Sequence, residues 1–225
     1  MKLKVAAEII RRDSVNAYFK RINWRFMDEL VQKEFENSIS DPYSANILGG
    51  MYISRAKDGE LIKSSDLISS QYINSTHIYT GHRLLGVNII DAENKTFEAA
   101  FEKNSQLWYA QGPSGEVIVF IGPYESNVGK IKETEIIIGK YQNPSQITER
   151  HIKKHFSIYF KYCVSTAQNS ASNMRNYIYR LFLKFNDFRL RSMYLSKIIK
   201  AFERLAIIMF AGGSIWVALY VAGKL

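Results

Sequence analysis

Apolar and polar positions change rhythm three times along the chain. From Lys2 to Asn37 the run KLKVAAEIIRRDSVNAYFKRINWRFMDELVQKEFEN has few turn residues and predicts one or two basic helices within residues 1–40, broken by Asp41-Pro42. From about Leu48 to Gln142 short apolar runs alternate with turn signals: MYIS, ELIK, LLGVNII, KTFEAAF, QLWYAQ, EVIVFIG and ETEIIIGKY. These predict a small, mostly antiparallel β domain of five to seven strands. Its clearest hairpin is QLWYAQ-GPSG-EVIVFIG, where Pro113 presets the turn and Gly115 permits a positive φ. KTFEAAFE is read as a strand, although its Glu and Ala would also suit a helix.

Pro144-Ser145 closes the sheet. A helix is predicted from about Gln146 to Ala167 with Ser145 as cap, a bend at the polar patch Gln168–Asn173, and a second helix over 174–203. That second helix carries an apolar stripe of Ile178, Leu181, Phe182, Phe185, Phe188, Leu195, Ile198 and Phe202. Residues 145–204 thus read as a long basic helical stalk. The fold class is α+β.

The last change of rhythm concerns location. Leu205 to Gly223 contains no charged residue, and 19 residues at about 1.5 Å each span roughly 28 Å, close to the hydrocarbon thickness of a bilayer. A single C-terminal transmembrane helix over 205–223, followed by Lys224 and Leu225, makes the protein tail-anchored. Arg189, Arg191, Lys197, Lys200 and Arg204 precede the span and would meet lipid headgroups, which keeps the soluble part cytoplasmic. The expected location is a single-pass position in a bacterial inner membrane. Ser214, Ala218 and Ala222 recur every four residues, a small face suited to self-association in lipid and hence to a homo-oligomer. No ionisable group lies within the span to serve a proton relay.

Charge sharpens this organisation. The chain has 225 residues and a net charge of +9. Residues 145–204 hold 12 Lys and Arg against 3 Asp and Glu, whereas residues 26–144 hold 10 against 16. A mildly acidic body therefore lies between basic flanks. The single cysteine, Cys163, excludes an internal disulfide framework and reads as an inert thiol mid-helix.

The search for catalytic chemistry returns little. There is no P-loop, no G-x-G-x-x-G after a strand and no G-x-S-x-G elbow. His151 and His155 have metal-ligand spacing, but Lys153 and Lys154 stand between them and disfavour a divalent cation. His77 and His82 read as packing or surface histidines. No enzyme, metal or cofactor is expected.

What remains is basic helix with interleaved aromatics, HIKKHFSIYFKY and MRNYIYRLFLKFNDFRLRSMY, and a similar mixture near the N-terminus around Arg11, Arg12, Lys20, Arg21 and Arg25. Such segments suit phosphate-bearing, base-stacking ligands, an anionic leaflet, or a structural stalk whose cations only enforce topology. The ligand-contacting candidates are Arg150, Lys153, Lys154, Lys161, Arg175 and Arg180.

In the order of these parts, a β domain at 48–142, basic helices and the charge-free 205–223, the chain resembles the membrane-anchored effectors of bacterial anti-phage defence systems. That resemblance implies a soluble module that reads a nucleotide or nucleic-acid signal and controls an oligomeric, channel-like membrane segment. The alternative is a tail-anchored adaptor whose β domain binds a protein partner.

Overall fold

A computed structural model describes residues 1–55, 73–91, 96–129 and 133–191, together with 200 and 203. The span expected over 205–223, with Ser214, Ala218 and Ala222, lies outside the described residues, as do Lys197 and Arg204. Among the described residues no helix is long and apolar enough to cross a membrane.

The chain is a mixed α+β protein with an N-terminal helix and antiparallel sheets. Helix α1 (Leu3–Ser38) is continuous. Its buried positions Ala17, Trp24, Met27, Val31 and Phe35 recur at helical spacing and make one stripe, whereas residues 1–16 are almost wholly exposed. Asp28 falls within that stripe and is buried. Its carboxylate accepts hydrogen bonds from Arg55 and from the Thr76 hydroxyl, so the charge is paired where water cannot reach it. A short α2 (Pro42–Ile47) follows, with Asp41 accepting from the Tyr43 N–H as its cap.

Eight strands are described, one more than the upper expectation, and they form two sheets. The first has five antiparallel strands in the order β1 (Met51–Arg55), β2 (Ser75–Thr80), β5 (Gln106–Gln111), β6 (Val117–Gly122), β8 (Ile136–Tyr141). The second joins β3 (Arg83–Asp91), β4 (Thr96–Lys103) and the two-residue β7 (Glu125–Ser126). TFEAAFE, from Thr96 on, is therefore a strand. ELIK lies outside the described residues.

Burial alternates strictly along β2 and β5, so Ile78, Leu107 and Tyr109 face the core while His77 and Trp108 face the other way. The core face is covered by α1 and by α3 (Glu149–Thr166), which contributes Ile152, Phe156, Tyr159, Tyr162 and Cys163. The first basic helix is thus the lid of the sheet, and its apolar residues share one cluster with β2, β5, β6 and β8.

Three local expectations are also revised. A 3-10 turn (Pro144–Gln146), capped by Asn143, precedes α3, and the helix itself begins after Thr148, whose hydroxyl lies 2.9 Å from His151 Nδ1. Ser145 is not its cap. Turns over 167–173 separate α3 from α4 (Met174–Asn186), where the Asn173 side chain accepts from the Arg175 N–H. Helix α4 then ends, and Asp187 accepts from the Arg189 N–H at 2.9 Å to start a new turn, so the second helix does not run unbroken over 174–203. Two compact units result, Met1–Leu183 and Lys184–Leu225, with α4 continuous across the boundary in sequence.

The predicted hairpin is β5–β6, paired through Trp108↔Phe120 and Tyr109↔Val119. Gly115 in its turn has φ +80, and a Cβ there would lie 2.4 Å from the Lys20 Cβ of α1. Gly115→Ala is expected to destabilise by about 1–2 kcal/mol, from left-handed strain and the displacement of α1. A urea midpoint unchanged from the parent would refute this.

Candidate functional site

Helix α3 separates the two residue types whose mixture defines its sequence. Phe156, Tyr159 and Tyr162 point into the core, while Arg150, Lys153, Lys154 and Lys161 are exposed at positions that share one helical face. Phe156, Tyr159 and Tyr162 are therefore packing residues and are not available to stack on a ligand. Four of the six candidate cations form an outward stripe about 16 Å long at 1.5 Å per residue.

These cations are not equivalent. Lys153 pairs with Glu149 at 2.8 Å, and that contact lowers the Glu149 pKa and raises that of Lys153. Lys161 Nζ sits 4.3 Å from the centroid of the Tyr179 ring on α4. Arg150 and Lys154 have no acidic partner among the described residues. Arg175, exposed at the start of α4, is on a different helix.

Arg180 is the exception among the six, because it is 7% exposed and its guanidinium is committed inside the protein. Its Nε donates to Glu133 at 3.1 Å, and its Nη1 donates to the carbonyls of Ala171, at 3.0 Å, and Ser165. Tyr162 donates its hydroxyl to the second oxygen of Glu133 at 3.3 Å. Arg180 thus closes the end of α3 and fastens α4 to it, and it is a structural clamp rather than a surface contact. Helical periodicity alone does not disclose this, since the burial of a cation depends on where a carboxylate from another segment arrives. Helix α4 buries Leu183 in the core and packs Tyr179 against it, while Tyr177, Ile178 and Phe182 are exposed.

Of the expected membrane-interface residues, Arg189 pairs with Asp187 at 2.9 Å, and Arg191 and Lys200 are exposed. The cations of α1 are largely spoken for. Arg11 pairs with Glu8 at 2.8 Å, Arg25 with Glu29 at 3.1 Å, and Arg21 donates to the Pro113 carbonyl at 2.8 Å.

The histidines are divided by burial. His155 is buried between two phenols, Tyr109 Oη at 3.2 Å from Nδ1 and Tyr141 Oη at 3.0 Å from Nε2. Burial, with the charges of His151 and Lys154, lowers its pKa to about 4. A neutral imidazole so enclosed is not poised for a metal, and among the described residues no group of three His, Cys, Asp or Glu side chains could hold one. Burial likewise pushes the Cys163 thiol up to about 11 while its Sγ lies 3.3 Å from the Ser105 hydroxyl, which keeps it unreactive.

On the opposite face of the five-stranded sheet, His77, Trp108 and Phe120 are direct cross-strand neighbours. The Trp108 ring stacks 6.1 Å from His77 and 4.8 Å from Phe120, with interplanar angles of 5° and 15°. Beside this row, between β5–β6 and β4–β7, a cleft of about 680 Å³ opens. Sequence reading singled out no residue of this cleft, because its lining comes from four separate strands and their turns.

No protein-family model, curated protein or solved structure matches the chain.

Proposed function

We propose that the chain is an oligomeric membrane effector in which the unit Met1–Leu183 senses an anionic ligand, a nucleic acid or nucleotide, and the segment 205–223 acts in a bacterial inner membrane. The observation that carries this reading is the join between the cation stripe and α4. Lys161, at one end of the stripe, rests on Tyr179, and Arg180 one residue further on is clamped beneath it. An anion drawn to Arg150 and Lys154 competes for Lys161 and so changes what holds α4, the helix that leads toward the charge-free segment. Control by ligand follows only if it binds the two arrangements with different affinity. The exposed Tyr177, Ile178 and Phe182 suit a helix lying near a bilayer or a neighbouring protomer.

The test uses the full-length protein reconstituted into zwitterionic phosphatidylcholine vesicles, so that lipid charge does not compete. The protein is expected to remain with the vesicles after alkaline carbonate extraction and to bind a single-stranded 20-mer oligonucleotide in low salt. Binding should weaken steeply as salt rises, because each phosphate contact releases counterions. Arg150→Glu combined with Lys154→Glu should weaken it at least tenfold and leave extraction unchanged. Loss of the protein to the carbonate supernatant, or binding indifferent to salt and to the double variant, would refute the reading.

A second reading, the tail-anchored adaptor, is favoured by a different observation. The distal part of the β3–β4 hairpin is exposed on both faces and presents Val87, Ile90 and Phe97, an apolar arm of the kind that pairs with another protein. Vesicle-resident protein that takes up no oligonucleotide in low salt would favour the adaptor.

A further inference from the structure

Helix α1 is apolar on two opposite faces. The stripe of Ala17, Trp24, Met27, Val31 and Phe35 is buried in the core. At about 100° per residue, Val15, Phe19, Ile22 and Phe26 fall on the far side of the helix. Phe19 and Phe26 are 58% and 66% exposed, Val15 is exposed as well, and Ile22 is half-buried. The outer face of a helix that lies on a sheet is ordinarily polar, so an apolar stripe with two phenylalanines calls for a cover. None of the four belongs to the cation stripe of α3, and what covers them does not depend on the ligand reading.

Spacing and charge together name that cover. Continued in both directions at alternating steps of three and four, the stripe meets Glu8 and Arg12 before it and Glu29 and Lys33 after it, all exposed. The result is a heptad seam about 38 Å long, apolar at its centre and charged at its ends. Laid antiparallel on a second copy, about a two-fold axis between Phe19 and Ile22, the seam sets Val15 against Phe26 and Phe19 against Ile22. The same register sets Arg12 against Glu29 and Glu8 against Lys33 of the second copy, so every charged position meets the opposite sign. A parallel pair would set each of these charges against itself. An anionic leaflet is a poorer match, because a helix bound there carries cations beside its apolar face and this one carries a carboxylate at each end.

The overhang of α1 agrees with this pairing. Residues 1–16 are almost wholly exposed, yet the helix runs through them from Leu3, and most helical stability comes from packing. In the antiparallel pair Glu8 to Val15 of one copy lies on Phe26 to Lys33 of the other, a stretch whose Met27 and Val31 are anchored in its own core. The charges already have local partners. Glu8 pairs with Arg11, Arg12 with Asp13 and Glu29 with Arg25, and Lys33 is close enough to Glu149 of α3 to lower its pKa. Exposed pairs of this kind are weak and rearrange readily. We propose that the outward face of α1 is the interface of a closed two-fold dimer of this chain, formed by two antiparallel α1 helices.

The test co-expresses two differently tagged full-length copies, one carrying Val15→Cys and the other Phe26→Cys, and oxidises them in mild detergent. The native Cys163 is buried and does not interfere. A disulfide joining the two tagged copies is expected. Neither variant expressed alone should crosslink, since each new cysteine would lie about 16 Å along the seam from its own counterpart, beyond disulfide reach. Arg12→Glu in both copies should slow crosslinking about fivefold, because the two-fold repeats the clash with Glu29 at both ends, and adding Glu29→Arg to the same chains should restore it. Phe19→Glu should abolish the crosslink and leave the circular dichroism of the chain unchanged, because Phe19 is exposed within one copy. No crosslink in the co-expressed pair, self-crosslinking of either variant alone, or crosslinking indifferent to Phe19→Glu or to Arg12→Glu would each overturn the proposal. An oligomer seen by light scattering without the crosslink is held by another face, such as 205–223, and overturns this interface alone. Vesicle residence and oligonucleotide binding at Arg150 and Lys154 are read separately, so the two readings fail separately.

Discussion

Arg180→Ala is expected to destabilise the Met1–Leu183 unit by about 3–5 kcal/mol, the usual consequence of removing one partner from a buried ion pair. The reason lies in what the substitution leaves behind. Glu133, whose side chain is 11% exposed, loses the Arg180 guanidinium, and the carbonyls of Ser165 and Ala171 lose the donor that Arg180 supplies at the end of α3. Combining Arg180→Ala with Glu133→Gln should recover part of that loss, because the remaining neutral amide is less costly to bury than a carboxylate. Denaturant unfolding of the detergent-solubilised chain, followed by intrinsic tryptophan fluorescence, provides the comparison, and a loss below 1 kcal/mol in the single variant would show that the clamp carries little energy. Arg150→Ala, on the exposed stripe, should stay within about 0.5 kcal/mol of the parent.

The second large effect depends on pH. His155 has its pKa lowered to about 4 in the folded chain, chiefly by burial, against about 6.5 when unfolded. Above pH 6.5 both states are neutral and the stability is fully present. As pH falls below 6.5 the unfolded chain takes up a proton that the folded chain refuses, and stability drains away until about pH 4. The whole loss is about 3 kcal/mol, and about 2 kcal/mol of it falls between pH 7 and pH 5. The groups around the ring are Tyr109 and Tyr141, which hydrogen-bond it, and His151 and Lys154, whose charges lower its pKa. Burial lowers the His77 pKa as well, which acts in the same direction. The contribution of His155 is therefore the difference between the parent and His155→Gln, whose stability should fall less steeply over the same interval. Parallel pH profiles for the two would refute the assignment.

Element types were legible where the periodicity was strong. The helical character of residues 3–38, expected as one or two helices, the alternation in QLWYAQ and EVIVFIG, and the turn at Gly112–Gly115 all follow from local sequence, while the structure decides that the first is one continuous helix. The boundaries around residue 145 were less so, since Asn143 and Thr148 compete with Ser145 as caps and only the hydrogen bonds decide among them. The pairing of β3 with β4 in a sheet of their own could not be read locally, because strand pattern carries no record of which edges meet.

The candidate site divides along the same line. That 145–204 is basic and aromatic is a property of the sequence, and so is the charge-free run from Leu205 to Gly223. Which of those side chains meet solvent is a property of the tertiary structure. Docking α3 on the sheet turns Phe156, Tyr159 and Tyr162 inward and leaves Arg150 and Lys154 outside. The arrival of Glu133 from the segment before β8 makes burial of Arg180 tolerable, and the convergence of β4, β5, β6 and β7 builds a cleft from residues that are unremarkable one at a time. Periodicity and composition are local quantities, carried by neighbours along the chain. Burial, charge pairing and cavities depend on contacts between distant segments, and only the folded chain brings those together.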